Sequence, residues 1–261
     1  MNLAAVIEQA ANVCVETGNF IRRESETFSK NDIEIKGKND LVSYVDKQAE
    51  QQLVAGLSDL IPNCGFITEE NTIAQKKETY TWIVDPLDGT TNFIHGLPAF
   101  AVSVGLLHDE ELVGGIIYEV NREELFTAWK NGGSFLNGEK ISVSNAEHIG
   151  DSLLATGFPY YNFEKLNQYL AILNELMKNT HGLRRIGSAA VDLAYVACGR
   201  FEGFFEYNLN PWDVAAGILI VKEAGGKVTD FSGGDNALFG RELVAAGPVH
   251  HELIQVIQEH W

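Results

Sequence analysis

The chain has 261 residues, with 36 acidic side chains against 19 basic ones and a formal net charge of −17. Hydrophobic residues make up 45% and charged residues 21%, enough apolar area to offset the entropy of ordering, which excludes intrinsic disorder. The acidity argues against a nucleic-acid partner held by a basic face; for an anionic substrate something other than net charge must draw it in, and metal ions held by carboxylates would serve.

The opening segment sets Leu3, Val6, Ile7, Ala10, Val13 and Cys14 on one face at helical spacing. It has no basic start and carries Glu8 within its apolar stretch, so no signal peptide is expected. No uncharged apolar run approaches the roughly 20 residues that span a bilayer, so no membrane partner is expected and the chain reads as cytoplasmic. Cys14, Cys64 and Cys198 lie far apart without a CxxC pair, which suggests neither a disulfide framework nor a zinc site.

The polar stretch Lys36-Gly37-Lys38-Asn39-Asp40 reads as a flexible loop. A second helix is expected from Ser43–Asp46 through Leu53, Leu57 and Leu60 to a stop at Pro62. A short strand, Gly65-Phe66-Ile67, leads into Glu69-Glu70, and the buried strand Thr81-Trp82-Ile83-Val84 delivers Asp85 at its carboxyl end. From Ala99 to Val143 strands alternate with tight turns at His108-Asp109-Glu110, Asn131-Gly132-Gly133 and Asn137-Gly138, which predicts an antiparallel sheet. Beyond residue 150, helices are expected at Phe163–Lys178, Ser188–Cys198, Trp212–Ala224 and Val249–His260, with strands at Gly203–Glu206, Gly226–Asp230 and Leu243–Ala246. No linker or internal repeat separates the halves. Residues 1–261 are therefore expected to form one α/β domain with two layers of sheet, an N-terminal half over 1–145 and a C-terminal α/β half over 146–261.

GxGxxG, GxSxG and HExxH are absent, and Gly133–Lys140 misses a P-loop because Glu139 stands where the lysine belongs. The informative run is Trp82-Ile83-Val84-Asp85-Pro86-Leu87-Asp88-Gly89-Thr90-Thr91-Asn92-Phe93. A buried strand ends in one carboxylate and a second follows three residues later, with proline and glycine to shape a turn that brings them together. Magnesium favours such oxygen ligands, the Leu87 carbonyl included, and the N–H groups opening the next helical turn favour a phosphate. Taken singly, Asp46 fits a capping pattern with Ser43, Glu69-Glu70 a solvated pair, and Asp213 an acidic helix start.

Together they form a pattern. Ile67-Thr68-Glu69-Glu70, Asp85–Phe93 and Trp212-Asp213-Val214-Ala215-Ala216-Gly217 through Glu223-Ala224-Gly225-Gly226 stand in order across nearly the full chain. In these blocks the sequence resembles the inositol monophosphatase family of magnesium-dependent, lithium-sensitive phosphatases. The resemblance implies a layered α/β/α/β/α sandwich, a homodimer, and two or three Mg²⁺ per active site. It assigns Glu69, Asp85, Asp88, Asp213 and the Leu87 carbonyl as metal ligands, with Glu69 also in the catalytic set. Asp46 and Thr90 would position and deprotonate the attacking water, and Gly89 and Thr90 would bind the phosphate. Gly187, Ser188, Ala189, Glu206 and Asp213 would contact the substrate. Thr68 stands where the family commonly has glycine, and Leu87 replaces the commoner isoleucine.

The implied substrate is a small phosphorylated molecule, inositol 1-phosphate first. Relatives cleave fructose 1,6-bisphosphate, NADP(H) or 3′-phosphoadenosine 5′-phosphate, and the metal motifs do not choose among these. Arg184 and Arg185 could meet a second phosphate or serve a nearby strand. A haloacid dehalogenase-like phosphatase would space its aspartates DxD, whereas Asp85 and Asp88 are spaced DxxD. A phosphate- or metal-sensing protein without turnover would lack a ligand or base, and none is missing.

Overall fold

Residues 1–28, 33–37, 40–159 and 162–261 are described in this computed structural model. The amphipathic start forms α1 (Leu3–Thr27), and Ser43 caps α2 (Tyr44–Leu60) through a capping box with Asp46. Between them β1 (Ile33–Gly37) and β2 (Asp40–Ser43) pair antiparallel. The loop expected over Lys36–Asp40 is corrected accordingly, and Lys38 and Asn39 lie outside the described residues. Composition reads that stretch as loop, but β-forming Ile33, Ile35, Leu41 and Val42 flank it.

Seven strands then neighbour one another in chain order: β3 (Gly65–Thr68), β4 (Tyr80–Asp88), β5 (Ala101–His108), β6 (Glu111–Glu119), β7 (Glu124–Trp129), β8 (Gly133–Leu136) and β9 (Glu139–Ile141). Only β3 and β4 run parallel, and a short helix, α3 (Thr90–His95), stands between β4 and β5. Asp109, Asn131, Asn137 and Gly138 take positive φ in the expected turns.

After a 3-10 turn at Ile149–Asp151, the remaining strands and α-helices are β10 (Leu153–Thr156), α4 (Leu166–Asn179), β11 (Gly182–Arg184), α5 (Ala189–Ala197), β12 (Gly203–Tyr207), α6 (Pro211–Glu223), β13 (Lys227–Thr229), β14 (Glu242–Ala246) and α7 (His250–His260). The second sheet has the order β11-β10-β12-β14-β13, with β10 parallel to both neighbours and the other pairs antiparallel. β10 and β11 are too short for alternation to reveal them.

Each helical face seeks a sheet to cover it, and five layers result. α1 and α2 bury Ile7, Cys14, Leu53 and Leu57 against the seven-stranded sheet. α5 and α6 lie between the sheets, where Leu193 and Ile220 meet Phe126 and Phe204. α4 and α7 cover the outer face of the five-stranded sheet through Ile172, Leu176, Leu253 and Ile257. This is the expected α/β/α/β/α sandwich. α6 is buried continuously from Val214 to Val221, as an all-apolar helix must be.

A cross-strand glycine pair, Gly105 on β5 and Gly115 on β6, sets how closely α6 approaches the sheet. A Cβ on Gly105 would lie 2.7 Å from the Ala215 Cβ, and one on Gly115 would lie 2.6 Å from the Ala216 carbonyl oxygen. Their missing side chains let the helix sit directly on the strands. No helix among the described residues is long and apolar enough to cross a membrane.

Candidate active site

Strand alternation alone would send Asp85 and Asp88 to opposite faces of the sheet, since they are three residues apart. A bulge prevents this. Asp85 pairs with Ser103 and Asp88 with Ala101, so three steps on β4 match two on β5. Pro86, which has no N–H to donate, sits inside the bulge, and Asp85 Oδ1 accepts from Leu87 N at 3.0 Å. The strand thus runs past the expected Thr81–Val84 to Asp88, and both carboxylates line one cavity of about 480 Å³.

Glu69 reaches that cavity from the end of β3, Gly89 and Thr90 from the start of α3, Gly187, Ser188 and Ala189 from the start of α5, Glu206 from β12, and Asp213 from the first turn of α6. Leu87 lines it as well. Asp46 lies behind this lining, fully buried, and Thr90 Oγ1 donates to its Oδ1 at 3.0 Å. The same hydroxyl lies 3.0 Å from the Leu87 carbonyl, and its single proton serves one acceptor at a time. Asp46 Oδ2 accepts from Ser43 N at 2.8 Å and Ser43 Oγ at 2.6 Å. Capping and site geometry therefore coexist in Asp46, one oxygen for each.

Two other acids divide their oxygens likewise. Asp88 Oδ2 accepts from Ser188 Oγ and Ala190 N, both at 2.6 Å, which ties the end of β4 to the start of α5. Asp213 Oδ2 accepts from Asn210 N at 2.7 Å as part of the α6 capping box. Ser188 is buried, engaged with Asp88, and accepts from Val191 N at 3.3 Å as the α5 cap. Thr68 leaves the strand undisturbed: it pairs with Val84, exchanges hydrogen bonds with Gln75, and Glu69 N continues to Val84 O at 3.2 Å.

Burial and mutual repulsion hold protons on this cluster. Desolvation first, then the Glu69, Asp88 and Asp213 charges, raises Asp85 well above the usual carboxylate range. Glu69 is raised well above it by desolvation and by Asp213 and Glu70, and Glu206 by desolvation with Asp213 and Asp88. Asp88 is pushed up to about 6 by desolvation, against the pull of its Ser188 and Ala190 hydrogen bonds. Asp213 is pushed up to about 7 by desolvation and the Asp88 charge. Desolvation also raises Asp46, against its Ser43 and Thr90 hydrogen bonds.

The donor set is all oxygen, suited to a hard divalent cation, and a cation would relieve the crowding of four carboxylates. Among the described residues no three acidic, histidine or cysteine side chains are already closed around one point as a finished cage.

Several residues at or beside the site escape motif reading. Arg185 lines the cavity with its guanidinium 5.8 Å over the exposed Phe158 ring, whereas Arg184 turns to the Leu183 carbonyl of its own strand. Gly157 seats Glu206: a Cβ there would lie 1.9 Å from Glu206 Oε2. Asp192 is buried on α5 with Oδ1 unpartnered, and Glu50 is buried on α2. Of these only Arg185, one of the two arginines considered for a second phosphate, is singled out in the sequence, and the spacing of Glu50 from Asp46, one helical turn, is the only local signal the others carry.

Residues 2–261 match the inositol monophosphatase family. The chain is 38% identical over 250 residues to inositol-1-monophosphatase of Mesorhizobium japonicum, covering 95% of this chain and 94% of that protein. It is 42% identical over 240 residues to Nus factor SuhB of Escherichia coli K12, covering 92% and 90%. The crystal structure of extragenic suppressor protein SuhB from Bartonella henselae superposes with a TM-score of 0.92 at 38% identity, over 98% of this chain and 100% of that one. Inositol monophosphatase-II of Staphylococcus aureus has been solved with inositol monophosphate (TM-score 0.80, 25% identity, 97% and 95% coverage) and with 2′AMP (0.81, 26%, 98% and 95%). The chain belongs to the inositol monophosphatase family, phosphatases that hydrolyse phosphoric monoesters.

Proposed function

We propose that this phosphatase depends on Mg²⁺, acts on small polyol phosphates with inositol 1-phosphate foremost, and releases phosphate by direct attack of water. One observation carries the reading: Glu69, Asp85, Asp88 and Asp213, from three separate chain segments, line one cavity beside the hydrogen-bonded pair Asp46–Thr90. Those carboxylates would repel a phosphate dianion unless they held cations, two or three per site in this reading. Glu69, Asp85, Asp88, Asp213 and the Leu87 carbonyl would hold them. Bound Mg²⁺ would neutralise the phosphoryl and leaving oxygens and favour ionisation of the attacking water.

The rest falls to the chain. Thr90 Oγ1 donates to Asp46 Oδ1, so as the hydroxyl takes a proton from water its own proton would pass to Asp46, and a proton from there or from solvent would go to the leaving alcohol oxygen. Asp46 keeps its place because Ser43 holds its other oxygen. Gly89 and Thr90 offer backbone N–H groups that have no acceptor within α3. Glu206, seated on Gly157, and the backbone of Gly187–Ala189 frame the alcohol part, where a carboxylate accepts from polyol hydroxyls.

The test is phosphate release from inositol 1-phosphate, fructose 1,6-bisphosphate, NADP and 3′-phosphoadenosine 5′-phosphate, with Mg²⁺ or a chelator. Mg²⁺-dependent release with the highest kcat/KM on inositol 1-phosphate is expected. Release that survives the chelator, or a trapped aspartyl-phosphate, would refute the mechanism. A second reading, a nucleotide 2′-phosphate, is favoured by Phe158, 45% exposed at the cavity rim and able to stack a base, and by the 2′AMP bound to the S. aureus protein. NADP ranking first would select it. Homodimer assembly and lithium inhibition come with the family reading, and sedimentation and a Li⁺ titration test them.

A further inference from the structure

Glu50 is a fully buried acid that the proposed chemistry leaves unused. It stands one helical turn after Asp46, so both side chains leave α2 on the same face. A buried carboxylate is costly unless hydrogen-bonded, and Glu50 collects three donors. Its Oε2 accepts from Glu70 N at 2.7 Å, and its Oε1 accepts from Thr72 N and Thr72 Oγ1, each at 2.7 Å. All three donors belong to the segment that leaves β3 directly after Glu69.

The consequence for Glu69 follows from peptide geometry. Glu70 N shares a rigid peptide plane with the Glu69 carbonyl, so a bond to one orients the other. On its other side Glu69 N donates to Val84 O at 3.2 Å. Asn71 then turns the chain with φ at +54°, a conformation rare for a side-chain-bearing residue, and its Nδ2 donates to Glu69 O at 2.9 Å. Asp46 does the equivalent for the other acidic segment through Thr90.

We propose that Glu50 is a positioning residue for Glu69, and that one face of α2 holds both acidic segments of the site, Glu69–Thr72 through Glu50 and Leu87–Thr90 through Asp46. The effect on metal binding rests on the reading under Proposed function. The clamp itself rests on the hydrogen bonds alone.

The test compares the wild type with Glu50→Gln, which keeps volume and helix but turns an amide donor towards an N–H, and with Thr72→Val, which removes one donor at the partly buried end. In metal-free protein the Glu70 and Thr72 amides should exchange at least about 10-fold faster in Glu50→Gln, with those of Ile83 and Val84 unchanged. By calorimetry Glu50→Gln should bind Mg²⁺ about 10- to 100-fold more weakly, and Thr72→Val less so, while kcat at saturating Mg²⁺ is largely retained. A merely structural Glu50 would lower the Tm and leave the Mg²⁺ affinity of the folded protein alone.

Unchanged exchange at Glu70 and Thr72 overturns the clamp, and faster exchange with unchanged Mg²⁺ affinity overturns its action on Glu69. Should Glu50→Gln fail to fold, Thr72→Val carries both readouts. A wild type that takes up no Mg²⁺ would refute the metal reading instead, and the exchange result would still decide the clamp.

Discussion

A divalent cation entering the cavity must displace the protons that burial and repulsion keep there, and the number displaced follows from the site's acidities. Asp88 is pushed up to about 6 and Asp213 to about 7. At pH 6.5, between those two values, the pair still carries protons in the metal-free protein, and full ionisation on Mg²⁺ binding releases them. Desolvation raises Glu69 and Asp85 in the same direction. At pH 8.5, above both values, the release from the pair should be smaller. Calorimetric Mg²⁺ titrations at pH 6.5, in two buffers of different ionisation enthalpy, read the count directly. Asp213→Asn should lower the number of protons released and abolish turnover. An asparagine oxygen can still accept from Asn210 N, so the helix cap and the fold should persist. Equal heats in both buffers would refute the argument that these acids are held protonated without metal.

Three further outcomes follow from the same geometry. Without metal, the folded state binds more protons than the unfolded chain between the ordinary aspartate value of 3.8 and the raised values of about 6 and about 7. Stability should therefore fall as pH rises through that window, and Mg²⁺ should flatten the loss; a metal-free Tm that climbs from pH 4 to 7 would contradict this. Glu206→Gln should cost inositol 1-phosphate about 5- to 100-fold in kcat/KM and spare a small aryl phosphate, and Gly157→Ala should do the same by displacing the Glu206 carboxylate. An equal loss on both substrates would place Glu206 among the metal ligands. Gly115→Ala should destabilise the protein by about 1–3 kcal/mol in urea unfolding, because its methyl would press on the Ala216 carbonyl; a neutral result would mean that α6 shifts freely on the sheet.

Much of the site's chemistry was legible in the residues themselves. The DxxD run after an apolar strand, the Glu69-Glu70 pair and the Trp212-Asp213 helix start each place an acid at the end of a regular element, and all of them line the cavity. The long helices and the hairpin turns were also legible, because periodic apolar faces and left-handed Asn-Gly turns are set by near neighbours. β10 and β11 were not, since strands of four and three residues are too short to show alternation.

The sequence by itself determined the kinds of oxygen donor, their order along the chain and the elements that carry them. Only the tertiary structure decided that Asp85 and Asp88 share a face, because the bulge is defined by the register against Ser103 and Ala101. It likewise decided that Gly105 and Gly115 admit α6, that Ser188 takes up one oxygen of Asp88, and that Glu50 grips the segment after Glu69. The physical reason is common to all four. Periodicity records which face of its own element a residue occupies, whereas these contacts join different elements, up to about a hundred residues apart in the case of Ser188 and Asp88, and leave no period in the chain.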